Sequence, residues 1–372
     1  MTEEFIVQSL VGDLISDLIK NGWNVNVFCK RDYSWSYLNS NSKYLSVYNV
    51  PFSRKINIIK DLKSLIILTY LLFNKKGLFV YSTPKASLLG AISSFILFKK
   101  SRIYIMRGRV FENYIGLKFF IFKSIEALIS KFSVDIVFIA PYHKNLYIKE
   151  KLISNKHAHI IHNGSSNGID LNLFSKSITN KLHLKEQLGY SQDDKIIIFA
   201  ARITLDKGIM DFIQVTNNLL KEFSDLKIII VGRNEMEIDF KKKYLDNFSS
   251  VNIIGWTNEI EKYFSISDIL LLPSYREGFG NVYVQSSASG CIPVAYNIPG
   301  VSSAVKNNFS GLLVDFRDIN LLEESCKILL SNEKLKIKYI ENGLKYSLRF
   351  DKIIFRKKLL KFYEERYNSI YN

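Results

Sequence analysis

At 372 residues, 47% hydrophobic and 23% charged, the chain has room for two domains of roughly 150 residues each, and its balance excludes intrinsic disorder, collagen-like repeats and low-complexity arrays. Its 51 Lys and Arg outnumber 35 Asp and Glu to give +16, and residues 1–180 alone carry 24 against 11, a bias that suits a polyanionic partner: nucleic acid, an anionic membrane face or a phosphate-bearing substrate. The longest apolar runs, Ser64 to Phe73 and Ala86 to Phe98, are shorter than the ~20 residues that span a bilayer. The first residues lack the apolar core of a signal peptide, so a cytoplasmic chain is expected. Cys29, Cys291 and Cys326 have no metal-like spacing and read as small buried hydrophobes.

In chain order, Ile6, Val7, Leu10, Val11, Leu14, Ile15 and Leu18 form an i, i+3, i+4 stripe, so the chain opens in a helix. A doubly wound domain normally opens with a strand and a glycine-rich turn feeding that helix, and neither is expected here. Strands follow at Asn24 to Cys29, Leu45 to Val50, Gly77 to Ser82, Arg102 to Met106, Val134 to Ala140 and His159 to His162. A boundary is expected between Asn172 and Asp194, where polar residues cluster, separating a first α/β domain of residues 1–175 from a second of residues 190–345.

In the second half, strands at Lys195 to Ala201, Leu226 to Gly232, Val251 to Ile254, Asp268 to Pro273, Ile292 to Tyr296 and Gly311 to Asp315 alternate with amphipathic helices such as Met210 to Phe223 and Ile319 to Leu330. Continuous apolar strands between helices indicate a parallel sheet covered on both faces. The fold class is therefore α/β: two Rossmann-like doubly wound domains facing a cleft, with ligands at the carboxyl ends of the strands. The tail from residue 351 to 372 reads as a basic amphipathic helix able to pack back on the first domain.

Two loops carry the chemistry. Arg202 and Lys207 lie five residues apart between a strand and a helix, where a fork and a point charge near a helix N-terminus suit a diphosphate. After the strand ending at Pro273 comes Glu277-Gly278-Phe279-Gly280-Asn281, with Gln285 eight residues beyond Glu277. Glycines on either side of Phe279 let backbone amides approach a ligand, while Glu277 and Gln285 suit sugar hydroxyls. Trp256 follows a strand, placed for a nucleotide base. The five histidines show no metal or nucleophile spacing and read as surface or structural residues.

These segments, with Ser289-Gly-Cys-Ile-Pro-Val294, Pro299-Gly-Val301, Gly311-Leu-Leu-Val314 and the stretch His162 to Asp170, resemble retaining glycosyltransferases of the GT-B fold, specifically glycosyltransferase family four. The resemblance implies that Arg202 and Lys207 neutralise the donor diphosphate, that Glu277 holds the donor sugar, and that Gly278, Phe279, Gly280, Asn281 and Gln285 bind the donor. Gln285 stands where the family has a second acidic residue, and Ser303 where it often has one after Pro-Gly. The first-domain histidine found in many relatives has no counterpart near Met106 to Gly108, which leaves Arg107 and Arg109 as acceptor-phosphate contacts.

The implied activity is metal-independent transfer of a hexose or N-acetylhexosamine from a UDP-sugar, with retention, to a polyprenyl-diphosphate-linked glycan. The setting is O-antigen or capsule synthesis at the anionic cytoplasmic membrane surface, with no cofactor and no nucleic-acid partner. Without its opening strand the chain would instead be a truncated, inactive homologue. A basic nucleic-acid-binding protein would need a recognised module of Arg with stacking aromatics, and none is present. The two loops also argue against a sugar-nucleotide epimerase on the same fold.

Overall fold

The structure, a computed structural model, describes residues 1–32, 43–53, 56–112, 114–176, 181–244 and 247–371. It divides into two compact units: residues 1–167 with 354–372, and residues 168–353.

Unit 1 runs α1 (Glu4–Lys20), β1 (Val25–Cys29), β2 (Leu45–Asn49), α2 (Ile58–Leu72), β3 (Phe79–Ser82), α3 (Pro84–Ile96), β4 (Arg102–Met106), α4 (Gly116–Phe132), β5 (Asp135–Phe138), α5 (Pro141–Lys149) and β6 (Ala158–Ile160). Among its described residues all strand pairs are parallel, in two sheets: β1-β2 and β3-β4-β5-β6. Met106, Ile136 and Phe138 centre one core under Ile129 of α4 and Tyr147 of α5. A smaller one joins Val7 and Ile15 of α1 to Val27 and Cys29.

Unit 2 runs α6 (Leu171–Lys176), α7 (Lys181–Gln187), β7 (Lys195–Ala200), α8 (Ile209–Glu222), β8 (Leu226–Val231), α9 (Phe240–Lys243), β9 (Val251–Gly255), α10 (Ile260–Ile266), β10 (Ile269–Leu271), α11 (Asn281–Ala288), β11 (Ile292–Tyr296), α12 (Pro299–Ala304), β12 (Leu312–Val314), α13 (Ile319–Ser331) and α14 (Glu333–Ser347). Its one sheet is parallel throughout, in the order β12-β11-β10-β7-β8-β9. Residues 196–200 of β7 are buried, as a central strand covered on both faces requires. The chain winds outward from β7 through β8 to β9, then crosses to β10 and winds the other way. The switch point thus falls between β7 and β10, where open α/β sheets bind ligands.

The division differs from the expected one. Residues 168–194 belong to unit 2, where α6 packs against α10 and α11 and α7 against α10. Ser289 Oγ donates to Phe174 O at 3.2 Å, and Ile169 N donates to Phe350 O at 2.7 Å. Polar composition marked an exposed surface there, and the boundary lies upstream, inside the His162 to Asp170 stretch. The last helix, α15 (Lys352–Tyr371), belongs to unit 1 from Ile354 on, where Arg356 pairs with Asp17 and Arg366 Nη2 lies 3.3 Å from Asp135.

Candidate functional site

Three close backbone approaches build the carboxyl end of the unit 2 sheet. Gly232, just past β8, sits so near Ala201 that a Cβ would fall 1.7 Å from the Ala201 carbonyl. Ile203 N donates to Arg233 O at 2.9 Å, and the loops after β7 and β8 run as a short ladder. Gly208, left-handed at φ 73°, caps α8, and a Cβ there would lie 1.9 Å from Pro273 O. A Cβ on Gly300 would lie 2.2 Å from Glu277 O. Only glycine allows this closeness, and together these contacts gather the loops after β7, β8, β10 and β11 in one place.

Lys207 and Glu277 meet there. Lys207 Nζ donates to Glu277 Oε1 at 2.6 Å, with side chains 16% and 12% exposed. Ser274 Oγ donates to the same oxygen at 3.0 Å. Arg202 points the other way, to Glu235 Oε2 at 2.9 Å, in a pair 53% and 37% exposed. Arg276 lies 3.6 Å from Asp206. Burial works to raise the Asp206 carboxyl, but the Thr204 hydroxyl at 2.6 Å and the cations Lys207, Arg202 and Arg276 prevail and hold it below its ordinary value. Lys207, Arg202 and Arg276 thus each have a carboxylate counterpart. The two pairs differ in stiffness: solvent screens Arg202–Glu235, while the shielded Lys207–Glu277 pair is the stronger constraint.

The other expected donor residues separate by place. The Phe279 ring is 1% exposed and packs edge-on to Phe350 at 5.3 Å, so only its backbone is open to a ligand. Gly280 is left-handed at φ 83° and caps α11, which carries Asn281 at its start and half-buried Gln285 one turn on. Gly278 is half-buried beside them. Trp256 is 65% exposed beyond β9, two strands from β7 or about 10 Å of sheet.

In unit 1, Arg107 is half-buried, with Nε donating to Ser82 Oγ at 2.7 Å, and desolvation lowers its guanidinium to about 10 despite Tyr363. Arg109 is 6% exposed. Its guanidinium pairs with Glu150 and lies 4.9 Å above the Tyr147 ring, so the structure commits it to an internal network and does not offer it to a ligand. That network includes Glu126, which accepts from Tyr147 Oη at 2.6 Å.

Two histidines are structural: His143 is buried at 2.8 Å from Glu112, and His159 lies 2.8 Å from Asp135. Sequence reasoning missed Glu235 and Asp211. Asp211 is buried and accepts from Tyr296 Oη at 2.7 Å and Tyr275 Oη at 3.0 Å. Glu235 was reachable from its place just past a parallel strand's carboxyl end, whereas Asp211 reads as an ordinary first-turn helix residue.

Residues 180–346, most of unit 2, match the family described as Glycosyl transferases group 1. Along nearly the whole chain, a capsular polysaccharide biosynthesis glycosyltransferase, CapM of Staphylococcus aureus, is 28% identical over 326 residues, 85% of each chain. The UDP-Gal:alpha-D-GlcNAc-diphosphoundecaprenol alpha-1,3-galactosyltransferase of Escherichia coli is 27% identical over 350 residues, 89% of this chain and 88% of that one. The solved structure of WaaG, a glycosyltransferase involved in lipopolysaccharide biosynthesis, superposes with a TM-score of 0.73 at 14% identity over 96% of this chain and 97% of that one. That likeness shows the fold, two Rossmann-like α/β units of the GT-B class.

Proposed function

We propose that this chain, a group 1 glycosyltransferase, moves a sugar from a UDP-sugar to a polyprenyl-diphosphate-linked glycan with retention of configuration, in the synthesis of a bacterial surface polysaccharide. The observation that carries the reading is the 2.6 Å contact between Lys207 and Glu277, brought from separate loops to the switch point of the sheet. A donor diphosphate laid there meets Lys207, the N-terminus of α8 and, once it turns from the screened Glu235 pair, Arg202. Glu277 then has acceptor oxygens for sugar hydroxyls, and the amides of Gly278 to Asn281 line the start of α11.

In the reaction, the anomeric C–O bond to phosphate breaks and its electron pair leaves on the diphosphate. The acceptor hydroxyl oxygen bonds to the anomeric carbon on the same face, and its proton passes to the departing phosphate. Negative charge grows on the leaving group, and fixed cations at that point lower the barrier. No step of this scheme is assigned to a metal or cofactor. The UDP and diphosphoundecaprenol parts of the reading come from the relative in Escherichia coli, and the capsular part from CapM.

Unit 1 supplies an argument for the membrane surface. The α2 residues Ile58, Ile59, Leu62 and Ile66 are exposed, as are Leu117, Phe120 and Ile121 on α4, and α3 packs against both helices. With Lys60, Lys63 and Lys118 among them, these faces have the apolar and basic chemistry of an anionic lipid interface, where a lipid-linked acceptor would be presented. No helix among the described residues is long and apolar enough to cross a membrane.

Incubating the purified chain with a panel of nucleotide sugars and bacterial lipid extract tests the reading. Lipid-dependent release of UDP is expected, and release from no sugar nucleotide would refute it.

A further inference from the structure

The reaction assigned above does not use Asp211. This carboxylate lies in the first turn of α8, four residues beyond Lys207, and is buried. Its charge is met by hydroxyls: Tyr296 Oη donates to Oδ2 at 2.7 Å, and Tyr275 Oη lies 3.0 Å from both oxygens. Burial, and after it the carboxylate itself, raises both phenols above their ordinary value, so each hydroxyl keeps its proton and donates. The rings close over the group, Tyr275 and Tyr296 at 6.2 Å from each other and each at 5.5 Å from Phe316. In such a shielded place these bonds fix geometry, because a buried carboxylate oxygen without a donor is costly.

The two tyrosines differ in what holds their backbone. Tyr296 ends β11, pairs with Val314 of β12 and is fully buried, so the sheet fixes it. Tyr275 belongs to the stretch 274–280 between β10 and α11, which has neither helix nor strand. Its amide donates to Asp206 O at 2.9 Å and its hydroxyl reaches Asp211. Tyr275 therefore fastens to the Lys207 loop by its main chain and to α8 by its side chain. Asp206 is the immediate neighbour of Lys207, and Glu277 lies two residues past Tyr275. On the other side of Tyr275, Ser274 Oγ donates to Glu277 Oε1 at 3.0 Å. The Lys207–Glu277 contact is thus backed by a second connection between the same two loops, and Asp211 is its far end.

We propose that Asp211 is a positioning residue for the transfer reaction: the sheet-anchored Tyr296 hydroxyl sets its orientation, and through the Tyr275 hydroxyl it holds the stretch 274–280 so that Glu277 faces Lys207. The proposal rests on the glycosyltransferase reading above. Asp211 touches no reacting atom in it, and its effect on turnover passes through Tyr275. A displacement of about 1 Å at a reacting centre can cost roughly a hundredfold in rate. With the Tyr275 amide still bonded to Asp206, loss of the hydroxyl alone should cost less, about tenfold.

The test measures lipid-dependent UDP release, thermal melting and amide hydrogen exchange in the full chain carrying Tyr275→Phe, Tyr296→Phe, Asp211→Asn, or Tyr275→Phe together with Asp211→Asn. Tyr296→Phe loses the shorter and more buried bond, so it should melt below Tyr275→Phe while turning over within roughly threefold of the parent. Tyr275→Phe should turn over about tenfold more slowly, and its residues 276–280 should exchange about tenfold faster than in the parent or in Tyr296→Phe. Asparagine has one acceptor oxygen where the carboxylate has two, so Asp211→Asn should slow turnover as well. The double variant should fall no further than the slower single, since both changes cut one path. Should Asp211→Asn fail to fold, the two tyrosine variants carry the comparison alone. Turnover losses that follow the melting order, a double variant whose losses multiply, or parental exchange in Tyr275→Phe would make Asp211 a stabilising residue only and overturn the proposal. If the parent itself releases no UDP, the reading of the reaction falls, while exchange in residues 276–280 still decides whether Asp211 and Tyr275 hold Glu277 in place.

Discussion

Lys207 Nζ and Glu277 Oε1, seventy residues apart in sequence, lie 2.6 Å apart with both side chains largely shielded from solvent. The contact exists because Gly208 backs onto Pro273 and Gly300 onto Glu277. It makes Lys207 both a stabilising partner in the resting protein and the nearest cation for a donor diphosphate, whereas Arg202 is held only by a screened pair.

Lys207→Ala and Arg202→Ala are accordingly expected to differ in stability and agree in activity. Each should lose about 2–4 kcal/mol of transition-state stabilisation, a drop of roughly a hundredfold or more in turnover. Lys207→Ala also strands a shielded carboxylate and should lower stability by about 1–3 kcal/mol, while Arg202→Ala should melt like the parent. Turnover assays and thermal melts check both, and near-parental turnover in either variant removes it from the donor site.

Gly208→Ala tests whether the loop geometry serves the site. The left-handed φ costs about 1–2 kcal/mol for any residue with a Cβ, and a contact at 1.9 Å from Pro273 O forces the two loops apart. Lower stability and a fall in turnover comparable to that of Lys207→Ala are expected. A variant with normal kinetics would show that the separation of these loops does not set catalysis.

Transfer should persist in excess EDTA, because the charge on the departing diphosphate is assigned to Lys207 and Arg202 and the sequence offers no carboxylate cluster of metal-ligand spacing. Measuring UDP release with EDTA, then with added Mg²⁺ or Mn²⁺, decides it. Complete loss with recovery on adding metal contradicts the scheme.

Glu126 gives a pH dependence. Burial raises its carboxyl above the ordinary value, against the opposing hydroxyls of Tyr147 and Tyr104 and the charges of Arg109 and His143. An acid raised on folding stabilises the fold while protonated. That contribution is complete below the unfolded value of about 4.3 and disappears as pH rises through the folded value. Glu126→Gln keeps an acceptor for Tyr147 without the charge, so it should melt above the parent at pH 7, with the gap narrowing toward pH 4. A variant less stable than the parent at pH 7 would mean that the charge itself holds the network.

The triple change Ile59→Ser, Leu62→Ser and Ile66→Ser removes exposed apolar groups from α2 and should alter stability by less than about 0.5 kcal/mol per site. Sedimentation with phosphatidylglycerol vesicles is expected to recover the parent and leave most of the variant in the supernatant. Equal recovery of both would show that α2 is not the lipid-facing surface.

The α/β class and most strand positions were legible in the residues themselves, because a doubly covered parallel strand must be continuously apolar and its helices must repeat at 3.6 residues. Residues 292–296 and 102–106 form strands just as read, and the others differ by a few residues at their ends. Gly208 and Gly280 could be singled out because they follow strands and open helices. The partners of those residues were not legible. Arg109 read as an acceptor-phosphate contact and is paired with Glu150, Asp211 read as a helix residue and collects two tyrosine hydroxyls, and a polar stretch read as a boundary belongs to unit 2. Local pattern depends on neighbours a few residues away, whereas a charge's partner depends on which distant loops the packed core brings within 3 Å, and only the tertiary structure decides that.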